Sequence, residues 1–119
     1  MTGPAVLTVL EGLARVARRL LPEPTLALGY YGEAVALAER LGDLPVAGRL
    51  RNAMGVIEWE RGRYDEARAQ YEAGLEIFRR QGDHASAAVL LASLGVTLDA
   101  MGRWVEARKC LEEACAMHR

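Results

Sequence analysis

The heptapeptide Gly62-Arg63-Tyr64-Asp65-Glu66-Ala67-Arg68 returns forty residues later as Gly102-Arg103-Trp104-Val105-Glu106-Ala107-Arg108. The flanking residues echo as well. Residues 42–79 laid over 82–119 agree at 13 of 38 positions, including Gly42/Gly82, Asp43/Asp83, Ala47/Ala87, Leu50/Leu90, Gly55/Gly95, Val56/Val96, Glu72/Glu112 and Arg79/Arg119. About three agreements would arise by chance even in a chain this rich in alanine. The fold must therefore be built from a unit of forty residues used more than once.

The unit is helical. Abundant Ala, Leu, Glu and Arg beside a single Phe favour helix over sheet. Residues 5–21 place Val6, Leu10, Leu13, Val16, Ala17, Leu20 and Leu21 three and four apart, which is the spacing of an amphipathic helix. Pro22-Glu23-Pro24 ends that helix, because proline lacks a donor and the residue before it avoids helical geometry. A second helix is expected over 25–41. Gly42-Asp43 then closes one helix and caps the next, and Gly82-Asp83 repeats the device. Further helices are expected over 44–61, 64–81, 84–101 and 104–118, broken by Gly62 and Gly102. Turns this short make neighbours antiparallel, and a lone helix pair cannot bury its own apolar face, so pairs must stack. Residues 2–41 match 42–81 at only six positions, among them Val6/Val46, Leu10/Leu50, Val16/Val56, Ala27/Ala67 and Tyr31/Tyr71. Those are mostly apolar positions, so the first pair shares the architecture and is the atypical terminal unit.

This pattern resembles the tetratricopeptide repeat along essentially the whole chain. The family calls for Leu-Gly in the first helix and, twelve residues after the Gly, an Ala opening Ala-x-x-x-Phe in the second. Here Met54-Gly55 precedes Ala67-x-x-x-Tyr71, and Leu94-Gly95 precedes Ala107-x-x-x-Leu111. In the first unit Ala27-x-x-x-Tyr31 is kept, but Arg15 stands where Gly is expected. The period is forty residues rather than 34, which looks like the longer-helix variant found in many bacterial regulators. The resemblance implies an all-α, right-handed superhelical stack of three antiparallel helix pairs in one domain, with repeats at about 2–41, 42–81 and 82–119.

Composition narrows the function. With a net charge of −1 and both signs interspersed, there is no electrostatic case for nucleic acid or an anionic membrane. No apolar run approaches the roughly 20 residues of a membrane span, and Met1-Thr2-Gly3-Pro4 lacks the features of a secretion signal. Cys110 and Cys115 lie about 140° apart on a helix, which suits reduced thiols rather than a bridge. The cytoplasm is the expected compartment. Neither His84 nor His118 has a plausible triad partner, so no enzyme is expected. Cys115 and His118 could reach one ion from one helical face, but Cys110 points elsewhere, so neither metal nor cofactor is expected.

The resemblance further implies that the first helix of each pair lines a concave surface. The lining residues would be Val9, Gly12, Val16, Arg19 and Leu20, then Arg49, Asn52, Val56, Trp59 and Glu60, then Val89, Ala92, Val96, Asp99 and Ala100. Steps of three and four residues keep each set on one helix face. Val16, Val56 and Val96 would form an apolar floor, with Arg19, Arg49 and Asn52 on one side and Glu60 and Asp99 on the other. Such a groove suits a protein or peptide partner with an apolar anchor, while Trp59 reads equally well as groove wall or as core. The expected role is a binding scaffold or adaptor, or the sensory repeat module of a bacterial regulatory system. The alternative is a homodimer or larger assembly formed through the last helix, using Leu111, Ala114 and Met117.

Overall fold

A computed structural model describes residues 2–117. Among them run six α-helices: α1 (Gly3–Leu20), α2 (Thr25–Leu41), α3 (Leu44–Glu60), α4 (Tyr64–Gln81), α5 (His84–Ala100) and α6 (Trp104–Met117). Each packs on the next in sequence, giving three hairpins stacked side by side. No strand occurs among the described residues. His118, expected at the end of the last helix, lies outside them.

Two kinds of turn alternate. Gly42, at φ 74°, closes α2 in the left-handed region, and the Asp43 side chain accepts from the Val46 N–H at 3.4 Å to cap α3. Gly62, at φ 75°, lets the chain reverse between α3 and α4, where the Arg63 N–H donates to the Glu58 carbonyl at 2.9 Å. The same two turns recur at Gly82-Asp83 and Gly102-Arg103. The first hairpin departs from this scheme. There α1 stops in an extended Leu21, and the Glu23 carboxylate caps α2 by accepting from the Thr25 N–H at 2.9 Å and from its hydroxyl. Those two bonds from Thr25 hold the Glu23 carboxyl below the ordinary carboxylate range.

The helices of a hairpin approach closely where one has no side chain. A Cβ on Gly55 would lie 2.5 Å from the Tyr71 ring, one on Gly95 2.8 Å from Leu111, and one on Gly48 2.7 Å from Phe78. Buried alanines such as Ala47, Ala67, Ala87 and Ala107 continue the same seams. Two apolar clusters result, one among α1, α2 and α3 and one among α4, α5 and α6. Val56 of α3 packs against the second cluster and so ties the halves together. The carboxylate of Glu58, only 7% exposed, is met by Arg61 at 3.0 Å and Arg63 at 3.4 Å from the turn that follows.

Candidate recognition groove

The first helices of the three hairpins present one face together. Its apolar members Val9, Val16, Val89 and Val96 are exposed and Val56 is half-buried. Trp59 is 39% exposed and lines a cleft with Val56 and Val96 rather than lying fully buried in the core. Leu20 is the most exposed large apolar residue of α1, and Leu13 joins Val9 and Val16 on the same open helix.

Three clefts occur at corresponding stations along the stack, each resting on the residue that the second helix contributes at the same register. The cleft at Tyr31, about 690 Å³, is walled by Gly12, Arg15, Val16, Arg18 and Arg19. The cleft at Tyr71, about 330 Å³, is walled by Val56, Trp59, Ala92, Ser93 and Val96. The cleft at Leu111, about 460 Å³, is walled by Asp99, Trp104, Ala107, Arg108, Glu112 and Cys115. The middle one is the most apolar, with a buried tyrosine as its floor. Burial lifts the Tyr71 phenol above its ordinary value, with Glu60 adding to the rise and Arg18 opposing it.

The polar residues of the face are less free than their spacing suggests. Arg49 is engaged by Glu11 across from α1, and Glu60 accepts from Arg18 at 2.8 Å. Both pairs brace α1 against α3, leaving Arg19 and Asp99 without ion pairs among the described residues. The Asn52 amide oxygen is buried with no hydrogen-bond donor, beside a smaller cleft of about 300 Å³ shared with Arg49, Phe78 and Val89. The second helices α4 and α6 are braced in the same manner by Arg68–Glu106 at 3.3 Å and Arg79–Glu113 at 2.8 Å, while Glu39–Arg51 at 2.8 Å ties α2 to α3.

The sequence model of the family described as Tetratricopeptide repeat matches residues 46–119, more than half of the chain. The chain is a member of the tetratricopeptide repeat family. None of the curated proteins matches it in sequence. Among solved structures it is similar to BtubC (BKLC) from P. vanneervenii, at 26% identity and a TM-score of 0.85, covering 95% of this chain and 46% of BtubC. This chain therefore spans less than half the length of that relative. It is also similar in fold to the TPR domain of Arabidopsis FLU, at 19% identity and a TM-score of 0.86, covering 97% of this chain and 96% of that domain.

Tetratricopeptide repeats are generally non-catalytic scaffolds for contacts between proteins. Among the described residues no group of three or more His, Cys, Asp and Glu side chains is placed to hold a metal ion, and no helix is long and apolar enough to cross a membrane. The terminal helix differs from its expected pattern. Ala114 is buried and Met117 packs against the second apolar cluster, so of the three residues assigned to self-association only Leu111 is exposed. Alanine and methionine at those registers face back into the third hairpin, and the exposed apolar residues of α6 are instead Trp104, Val105 and Leu111. Cys115 is exposed, whereas burial raises the Cys110 thiol, with Glu113 adding to the effect. The sequence placed Tyr31 and Tyr71 only in the Ala-x-x-x-Tyr motif of the second helices, and their position lining the clefts comes from the packing.

Proposed function

We propose that this protein is a non-covalent receptor for a peptide segment of another protein, acting as an adaptor or regulatory repeat module in the cytoplasm. The observation that carries the reading is the apolar cleft at Tyr71, in which Trp59 stands half-open above Val56 and Val96. A partially exposed tryptophan over an apolar floor is the kind of feature that dominates binding energy at protein interfaces. Arg49 and Glu60 take a bracing rather than a contacting role, since each already holds an opposite charge.

The test is peptide-array selection followed by calorimetry on the selected sequence. Trp59→Ala should weaken binding by about 2 kcal/mol or more while the circular dichroism spectrum and melting temperature stay close to the parent. Unchanged affinity in that variant removes the Tyr71 cleft as the docking point.

A second reading is favoured by α6, where Trp104 is 69% and Val105 70% exposed beside the Leu111 cleft. Assembly of copies through that surface predicts that Trp104→Arg lowers the mass seen by light scattering at high concentration. A monomer at every concentration refutes it.

A further inference from the structure

The two ends of the stack carry the two halves of one of its own internal junctions. On α4, which packs against α5, Tyr64 is half-buried and Tyr71 and Leu75 are buried in the cluster shared with α5. The same stripe recurs forty residues on as Trp104, Leu111 and Cys115 of α6, and there all three are exposed. At the Tyr71 cleft the side of α5 is supplied by Ala92, Ser93 and Val96. The corresponding residues of α1 are Gly12, Leu13 and Val16, of which Leu13 and Val16 are exposed. A soluble stack is normally closed by polar outer faces, yet each of these ends presents apolar side chains at the register that packs.

The ends also match each other in volume and in charge. Tyr71 and Leu75 give way to the smaller Leu111 and Cys115 in α6, while Ser93 gives way to the larger Leu13 in α1. Facing positions that trade volume in this way keep a junction filled. Asp99 of α5 and Arg19 of α1 have no ion pair among the described residues. In a continued stack they stand one forty-residue step apart. The pairs that already join successive first helices, Glu11–Arg49 and Arg18–Glu60, connect residues 38 and 42 apart, so that step lies within their reach.

We infer that copies of this chain stack head to tail, with α1 of one copy lying on α6 of another as α5 lies on α4. This rests on the α6 self-assembly reading above and supplies the surface that α6 meets. Pairing α6 with a second α6 would leave Leu13, Arg19 and Asp99 unused, whereas the head-to-tail contact engages all three. The contact is heterologous, so each added copy leaves the same two faces open for the next. A junction one helix wide is smaller than the roughly 800 Å² per partner of a stable complex, which places assembly at about 10–100 μM.

Sedimentation velocity on the whole chain, from about 1 μM to about 1 mM, tests this. The average mass should climb past two copies without a plateau. Leu13→Glu spoils the α1 face and Trp104→Arg the α6 face, and since both side chains are exposed, circular dichroism melts should stay near the parent. Each variant alone should remain monomeric. An equimolar mixture of the two should form a two-copy particle and stop there, because one intact α1 face and one intact α6 face remain between them. Arg19→Asp and Asp99→Arg should each weaken assembly about threefold at low salt, and the chain carrying both should recover it. A plateau at two copies that Leu13→Glu leaves unchanged overturns the head-to-tail contact and leaves pairing through α6 standing. A mixture that stays monomeric while the parent assembles overturns it too. A monomer at every concentration overturns both readings and gives the α6 face to a different protein.

Discussion

Replacing Gly55 by alanine asks whether the hairpins are held by glycine-to-ring nesting, because two opposing effects of known size meet at that residue. In a helix interior alanine is favoured over glycine by about 0.8–1.0 kcal/mol. Gly29 shows that gain alone: it is exposed on α2 and a Cβ there meets nothing within 4 Å. For a chain of this size about 1 kcal/mol moves the melting temperature by about 3–5 °C, so Gly29→Ala should melt higher by that amount. At Gly55 the new Cβ would lie 2.5, 2.7 and 2.9 Å from three atoms of the Tyr71 ring. Ordinary carbon contacts are about 3.5–4.0 Å, so the ring must retreat by about 1 Å. Tyr71 is 3% exposed within the second apolar cluster and has little space to retreat into. Overpacking of this kind costs about 1–3 kcal/mol, which outweighs the helical gain, and Gly55→Ala should melt lower by about 3–5 °C. Circular dichroism melts at one heating rate compare the two variants directly. In a Tyr71→Ala background the penalty should vanish and Gly55→Ala should become favourable, giving a coupling above about 0.5 kcal/mol. If Gly55→Ala melts as high as Gly29→Ala, the seam is not closed by nesting.

Other outcomes follow from single residues. The Ser86 hydroxyl and N–H both donate to Asp83 and hold its carboxyl below the ordinary 3.8, so its contribution to stability is complete above that value and disappears as pH falls below it. Asp83→Asn keeps the cap without a titrating proton, and melting temperatures taken at falling pH should show a flatter acid limb than the parent; a parallel curve contradicts this. Native alkylation followed by mass spectrometry should label exposed Cys115 well before Cys110, whose thiol is half-buried and raised, and equal rates would show that α6 is not packed as described. Glu58→Ala should lose about 1–3 kcal/mol in a denaturant melt by removing the buried partner of Arg61 and Arg63. Glu58→Leu should lose much less, because Leu98 fills the corresponding place in the third repeat at 2% exposure; equal losses would mean that the ion pairs rather than the filled volume matter.

The helix ends were legible in the sequence because their determinants are local. Gly42-Asp43 and Gly82-Asp83 stop one helix and cap another within two residues, and α2 and α4 fall on the expected spans. Where the expectation was off, a short-range bond explains it. The helix α1 starts at Gly3 rather than near residue 5, since the Thr2 hydroxyl caps the Ala5 N–H at 3.3 Å and Pro4 sits in the first turn. Helices α3 and α5 end one residue earlier than the pattern suggested, because Arg61 and Met101 already belong to the Gly-Arg turns. The ion pairs of the groove were not legible. Glu11–Arg49 and Arg18–Glu60 join residues 38 and 42 apart, offset from the forty-residue period by the rotation between successive helices. No one-helix spacing rule contains that rotation, so residues that looked free for a ligand were already engaged.

Comparing the second repeat with the third separates scaffold from recognition without any other sequence. Where the two agree inside the stack, the residue is one that another helix must approach: Ala47 and Ala87, Leu50 and Leu90, Gly55 and Gly95, Ala67 and Ala107 are all buried. Where they face the groove they disagree, as Arg49 against Val89, Asn52 against Ala92 and Trp59 against Asp99. Val56 and Val96 are the exception, and they share the Tyr71 cleft. Packing constrains the buried positions equally in every repeat, since each must accept the same neighbouring helix. Groove positions escape that constraint, so their differences are free to follow the ligand. A partner that contacted every repeat alike would leave no reason for Arg19, Trp59 and Asp99 to occupy one register with three chemistries. On the groove-binding proposal, the division favours an asymmetric ligand whose parts differ in charge and polarity along its length.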